Sequence, residues 1–129
     1  MAFCHNKKYE REFVKLMNCL KHTCFRIAGS GSASDAVCDC VLYMPQACLV
    51  EVKATKEDKF YMRAGIRSQL QLMIDVCSKN GLIPILAIKF KHRGWNVVRI
   101  YSFENIEFNK EMVIDENTRQ IKGIDAGKS

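Results

Sequence analysis

The sequence is most informative at first for what it lacks. It has no long apolar run: the longest, Leu82 to Ile88, is far too short to span a bilayer. Its first residues, Met1-Ala2-Phe3-Cys4-His5, lead directly into Lys7-Lys8 with no apolar stretch of the signal-peptide kind. A membrane protein is therefore excluded as an expectation, and the chain reads as soluble and cytoplasmic. No internal repeat and no long low-complexity tract is present, so solenoid and linker architectures drop out. There is no CxxC pair among the seven cysteines. An odd cysteine count without secretory targeting argues against a disulfide framework. Cys38, Cys40, Cys48 and His22 have no zinc-ribbon spacing. Buried small hydrophobes are the simpler role for the cysteines. Cys38 and Cys40, two apart, are expected on one face of a strand. Acidic residues are also under-represented: 14 against 20 lysines and arginines, a formal net charge of +6. That excess favours an anionic partner such as nucleic acid.

What is present fits one compact domain. The 129 residues, 48% of them hydrophobic, can bury a core and leave little room for a second domain. We read residues 1–129 as a single domain, with frayed ends from about residue 122. Tyr9, Phe13, Leu16, Met17 and Leu20 recur at helical spacing, which predicts a helix over about 6–21 with Asn6 as N-cap. Glu10 lies at the edge of that apolar face; pattern alone ranks Glu12 equally. Strands are expected over 23–28, 36–43 and 47–53, the last two joined by a turn at Met44-Pro45-Gln46. Phe60-Tyr61-Met62 extends a strand or crosses to the next helix. Ile66, Leu70, Met73, Ile74 and Cys77 mark a second helix over about 66–79, stopped by Asn80-Gly81. Strands over 83–90 and 95–101 follow, around the basic turn Lys91-His92-Arg93-Gly94. Short strands at 112–114 and 120–121 complete an α/β domain with a mixed central sheet flanked by helices.

Chemistry is suggested by Leu49-Val50-Glu51-Val52-Lys53. Side chains alternate along a strand, so Glu51 and Lys53 share one face while Cys48, Val50 and Val52 take the other. Asp39 interrupts a second apolar strand, and a carboxylate there is costly to bury unless it is paired, hydrogen-bonded or metal-bound. If the strands are neighbours, Asp39 and Glu51 converge on one cation with Lys53 alongside. Hard carboxylate oxygens suit Mg2+, which keeps waters and can grip a phosphate; Mn2+ can substitute. That trio fits phosphodiester hydrolysis. A Glu51–Lys53 salt bridge on a sheet edge explains the same spacing equally well. No residue pattern calls for an organic cofactor.

Asp39 followed by Glu51-Val52-Lys53 resembles the core of the PD-(D/E)XK nucleases. The match is closer to one branch, the archaeal-type Holliday junction resolvases. Its features stand here in unbroken order over about residues 7–101: Glu10-Arg11 on a first helix, Arg26, the Gly29-Ser30-Gly31-Ser32 loop, Asp39, Glu51-Val52-Lys53, then Gly81 to Phe90 and Gly94-Trp95. Cys38 stands where the family often has a proline; that proline is not a ligand. The resemblance implies a restriction-endonuclease-like fold and a metal-dependent endonuclease that cuts four-way DNA junctions in recombination and repair. It implies Glu10, Asp39 and Glu51 as metal ligands, and Ser30 and Lys53 as further catalytic residues. Arg11, Arg26, Ser30, Ser32 and Lys56 would contact DNA. It implies a homodimer, which doubles the charge of +6 and presents two sites to the two strands of a junction, and a nucleoid-associated location. Lys59, Arg63, Arg67, Lys89, Lys91, His92 and Arg93 could extend the DNA-facing surface, though each is ordinarily a solvated charge. Other expectations stand beside this one: a related nuclease acting on plain duplex or mismatches, a non-catalytic DNA-binding protein with this fold, and a zinc-stabilised interaction module.

Overall fold

A computed structural model describes residues 6–27, 37–61, 63–91, 93–100 and 107–109. The first helix, α1 (Asn6–Cys19), buries Tyr9, Phe13, Leu16 and Met17, the stripe read from the sequence. Asn6, expected as the cap, is the first helical residue. The end of α1 is held by a device the periodicity did not reveal. Asn18 donates its Nδ2 to the carbonyls of Val14 at 2.8 Å and Cys24 at 3.0 Å, and its Oδ1 accepts from the Cys24 N–H at 3.2 Å. One side chain thus ties the last turn of α1 to the next strand. Between them Lys21 takes a positive φ of 76°, and His22 N–H returns to the Met17 carbonyl at 3.0 Å. A left-handed residue after a helix lets the chain reverse while its carbonyls stay satisfied.

The chain then builds β1 (Thr23–Arg26), β2 (Cys40–Tyr43), β3 (Ala47–Thr55) and β4 (Lys59–Tyr61), followed by α2 (Ala64–Asn80), β5 (Ile83–Phe90), β6 (Gly94–Arg99) and β7 (Glu107–Asn109). Five strands form one mixed sheet in the order β1-β2-β3-β5-β6. Only β3 and β5 are parallel, with Glu51 opposite Leu86 and Lys53 opposite Ile88. Parallel neighbours require a crossover, and α2 lies within it. β4 pairs with β7 in a separate two-stranded ribbon. α2 ends at Gly81, whose φ of 69° only glycine adopts at no steric cost; Leu82 N–H then closes on the Cys77 carbonyl at 2.9 Å.

Each face of the sheet is covered by one helix. Phe13 and Met17 of α1 pack on Cys40, Cys48, Val50, Val52, Ile85 and Trp95. Leu70, Met73 and Cys77 of α2 pack on the opposite face, against Leu49, Leu86, Ile88 and Val98. A fully buried Phe13 or Met73 stabilises the fold by about 2 kcal/mol through area removed from water. Trp95 is core, as read, with its ring 5.2 Å from that of Phe13. Of the cysteines described, Cys24, Cys38, Cys40, Cys48 and Cys77 are buried as free thiols and Cys19 is exposed.

Several boundaries differ from the sequence reading. β2 begins at Cys40 rather than near 36, because the chain leaves the ladder at Asp39. For the same reason Cys38 and Cys40 do not share a face: Cys38 joins the cluster under α2 and Cys40 the cluster under α1. β3 runs to Thr55 and β6 starts at Gly94 and ends at Arg99. β7 was not expected. Ser30, Ser32, His92, the short strands expected at 112–114 and 120–121, and the frayed end lie outside the described residues. Among the described residues no helix is long and apolar enough to cross a membrane.

Candidate active site

The irregularity at Asp39 organises the site. The β2–β3 ladder stops at the pair Cys40–Val50. Beyond it, Asp39 donates its N–H to the Val50 carbonyl at 2.9 Å and accepts the Ile27 N–H at 2.9 Å on its own carbonyl. Its carboxylate Oδ2 accepts the Val52 N–H at 2.8 Å. A side chain therefore replaces the ladder bond that β3 loses where β2 ends. A buried backbone donor left unpaired there would be costly, so the sheet itself fixes this carboxylate beside Glu51.

Glu51 is 3% exposed and Glu10 4% exposed. They approach Asp39 from different elements, Glu51 from the middle of β3 and Glu10 from the buried flank of α1. Each is held by a cation. Arg26, the last residue of β1, places its Nε 3.0 Å from Glu10 Oε1. Lys53 places its Nζ 3.3 Å from Glu51 Oε2 and donates to Gln69 Oε1 of α2 at 3.0 Å. Lys53 and Glu51 thus share the α2 face, as strand alternation requires.

These pairings do not neutralise the acids fully. Burial first, and then the charge of Asp39, push Glu51 up to about 8, although Lys53 pulls the other way. Glu10 is raised for the same two leading reasons, with Arg26 opposing and a shared hydrogen bond with Asp39 adding to the rise. Like charges in a dry site disfavour joint ionisation, and a cation relieves both causes at once. The donor set is one of carboxylate oxygens, suited to a hard divalent ion. Among the described residues no three His, Cys, Asp or Glu side chains are already closed around one metal-sized point. Glu10 and Glu51 each have one oxygen paired with a cation, Arg26 and Lys53 respectively.

The structure separates the two acids of α1 that pattern left tied. Glu12 Oε2 accepts from Lys89 Nζ at 2.6 Å and from Trp95 Nε1 at 3.2 Å. It clamps α1 to β5 and β6 and is not directed to Asp39. Lys89 is committed to that clamp. Arg11 and Lys56 are exposed, as are Lys59, Arg63, Arg67 and Arg93. The zinc grouping of Cys38, Cys40 and Cys48 is divided between the two faces of the sheet. Gln69 was missed by sequence reasoning; a glutamine at an exposed helix position carries no signal until the crossover sets it over Lys53.

The family model described as "Archaeal holliday junction resolvase (hjc)" matches residues 4–127. Among solved structures, the chain is similar to Hjc of Archaeoglobus fulgidus, described as a Holliday junction resolvase from an archaeal hyperthermophile. The two are 21% identical, with a TM-score of 0.61, over 82% of this chain and 88% of that one. This likeness speaks for the fold, a restriction-endonuclease-like mixed sheet between helices. With a family match spanning nearly the whole sequence, the chain belongs to the archaeal Holliday junction resolvase family.

Proposed function

We propose that this chain, a junction-cleaving nuclease by family, hydrolyses DNA phosphodiesters with a divalent cation, Mg2+ or Mn2+, held by Glu10, Asp39 and Glu51. The observation that carries the proposal is the gathering of three acids, from α1, from the residue just before β2 and from β3, at one break in the sheet, two of them buried and raised from their ordinary values. A bound cation supplies Lewis acidity, lowering the pKa of water and balancing charge on the phosphate. The chain's own groups do the rest. The Val52 N–H fixes Asp39, so this acid keeps its place whether or not the others turn. Lys53 orients the attacking water or balances phosphate charge beside Glu51. Arg26 holds Glu10 in the free protein and exchanges that partner for a phosphate when DNA binds. Arg11 and Lys56, with Ser30 and Ser32, contact the DNA backbone; such contacts carry affinity without sequence preference and weaken with salt.

A four-way junction offers two strands at symmetric positions. A two-fold homodimer presents two such sites with matching symmetry, and we propose that assembly here. The test compares cleavage of a four-way junction with that of its matched duplex arms in Mg2+. Preferential, paired cuts at the junction support the reading; equal rates on both substrates would sink it.

A further inference from the structure

Lys53 is held from two elements. Glu51, two residues before it on β3, takes one N–H; Gln69, on α2, takes another at the shorter distance, 3.0 Å against 3.3 Å. We infer that Gln69 is a positioning residue for Lys53, setting where its ammonium stands relative to the three acids. The inference rests on the role proposed above for Lys53.

A lysine on one ion-pair partner keeps most of its rotamer freedom, because four methylenes let the charge swing around a single acceptor. Two acceptors on different elements define a position. α2 is itself fixed, since Leu70, next to Gln69, and Met73 and Cys77 are buried against the sheet. Gln69 therefore transmits a rigid reference to the lysine. It also competes with Glu51 for the ammonium, at 3.0 Å against 3.3 Å. Of the three N–H donors on a lysine, two are then engaged, and the third is left for water or phosphate.

Gln69 is exposed, so its replacement leaves the core packing in place. The experiment is single-turnover cleavage of a four-way junction by the full chain, saturating over DNA, with Mg2+. Gln69→Leu, Gln69→Glu and Lys53→Met are compared with wild type, alongside junction Kd and thermal melting. Gln69→Leu is expected to slow cleavage about tenfold, the scale of a modest misplacement of a reacting group, with Kd and melting unchanged. Gln69→Glu keeps an acceptor oxygen at an exposed position and is expected to stay within about threefold of wild type, since an exposed charge acts weakly. A loss in Gln69→Leu confined to Kd, or an equal loss in both Gln69 variants, overturns the inference. So does a wild-type rate for Gln69→Leu with Lys53→Met inactive, which leaves the proposed role of Lys53 standing. A wild-type rate for Lys53→Met overturns both.

Discussion

Replacing Glu51 by glutamine removes a titratable group from the site without changing its shape, and its effect on the metal-free fold follows from burial. Glu51 is 3% exposed and held up to about 8, against an ordinary value of 4.5. The native state therefore keeps its proton where the unfolded chain has released it. With more protons bound in the native state, stability falls as pH rises from about 4.5 to about 8. Each pH unit in that window costs about 1.4 kcal/mol, so at pH 7 wild type forgoes on the order of 3 kcal/mol relative to a neutral side chain. Glutamine does not titrate and can still accept from Lys53. Glu51→Gln should thus be the more stable protein in EDTA at pH 7, by on the order of 3 kcal/mol, and nearly equal to wild type at pH 4.5. In urea, with a slope of about 2 kcal/mol per molar, the midpoint should rise by about 1–2 M. Unfolding curves at both pH values provide the assay. A variant no more stable than wild type at pH 7, or a gap independent of pH, would refute the reasoning. A stabilised variant would also show that the acid is retained at a cost to the fold.

Further expectations follow from the same geometry. Cation binding must displace the Glu51 proton, so Mn2+ affinity measured by calorimetry should fall about tenfold per pH unit below about 8; a flat profile would contradict this. Glu12 clamps Lys89 and Trp95 rather than facing Asp39. Glu12→Gln should therefore leave the cleavage rate at the wild-type level while Glu10→Gln abolishes it, and equal losses would dissolve the distinction. Asn18→Ala breaks three hydrogen bonds at the end of α1 and should destabilise the fold by about 1–2 kcal/mol. Lys21→Gly relieves a φ of 76° and should stabilise it by up to about 1 kcal/mol. Denaturant titration checks both, and a change of opposite sign in either would mean that the helix end is held by something else.

Much of the architecture is legible in the sequence because burial imposes its period on the residues. The stripe of Tyr9, Phe13, Leu16 and Met17 and that of Leu70, Met73 and Cys77 name the two helices and the faces they bury. Alternation places Glu51 and Lys53 together. What pattern could not reach depends on partners distant in the chain. β3 continues through Ala54 and Thr55 because Lys89 and Phe90 of β5 pair with them. The β4–β7 ribbon joins Phe60 to Phe108, across the whole second half of the domain. Cys38 and Cys40 fall on opposite faces because the chain steps off the ladder at the residue between them, where a carboxylate substitutes for a strand. Glu10 and Glu12 rank equally by pattern alone and are told apart by Arg26 on one side and by Lys89 with Trp95 on the other. The charged core of the site was readable through the order Glu10, Asp39, Glu51, Lys53 and its resemblance to one nuclease branch. Its restraints, the Val52 N–H and Gln69, exist only once the strand and crossover are built.

The central claim is that Glu10, Asp39 and Glu51 serve one cation in cutting DNA. It is tested most directly by separating cleavage from binding in Glu10→Gln, Asp39→Asn and Glu51→Gln. With a four-way junction and Mg2+, wild type should cut while each variant loses at least about a hundredfold in rate and still shifts the junction in a gel. Cleavage surviving in Asp39→Asn or Glu51→Gln, or a wild type that binds junctions yet never cuts with Mg2+ or Mn2+, would contradict the account.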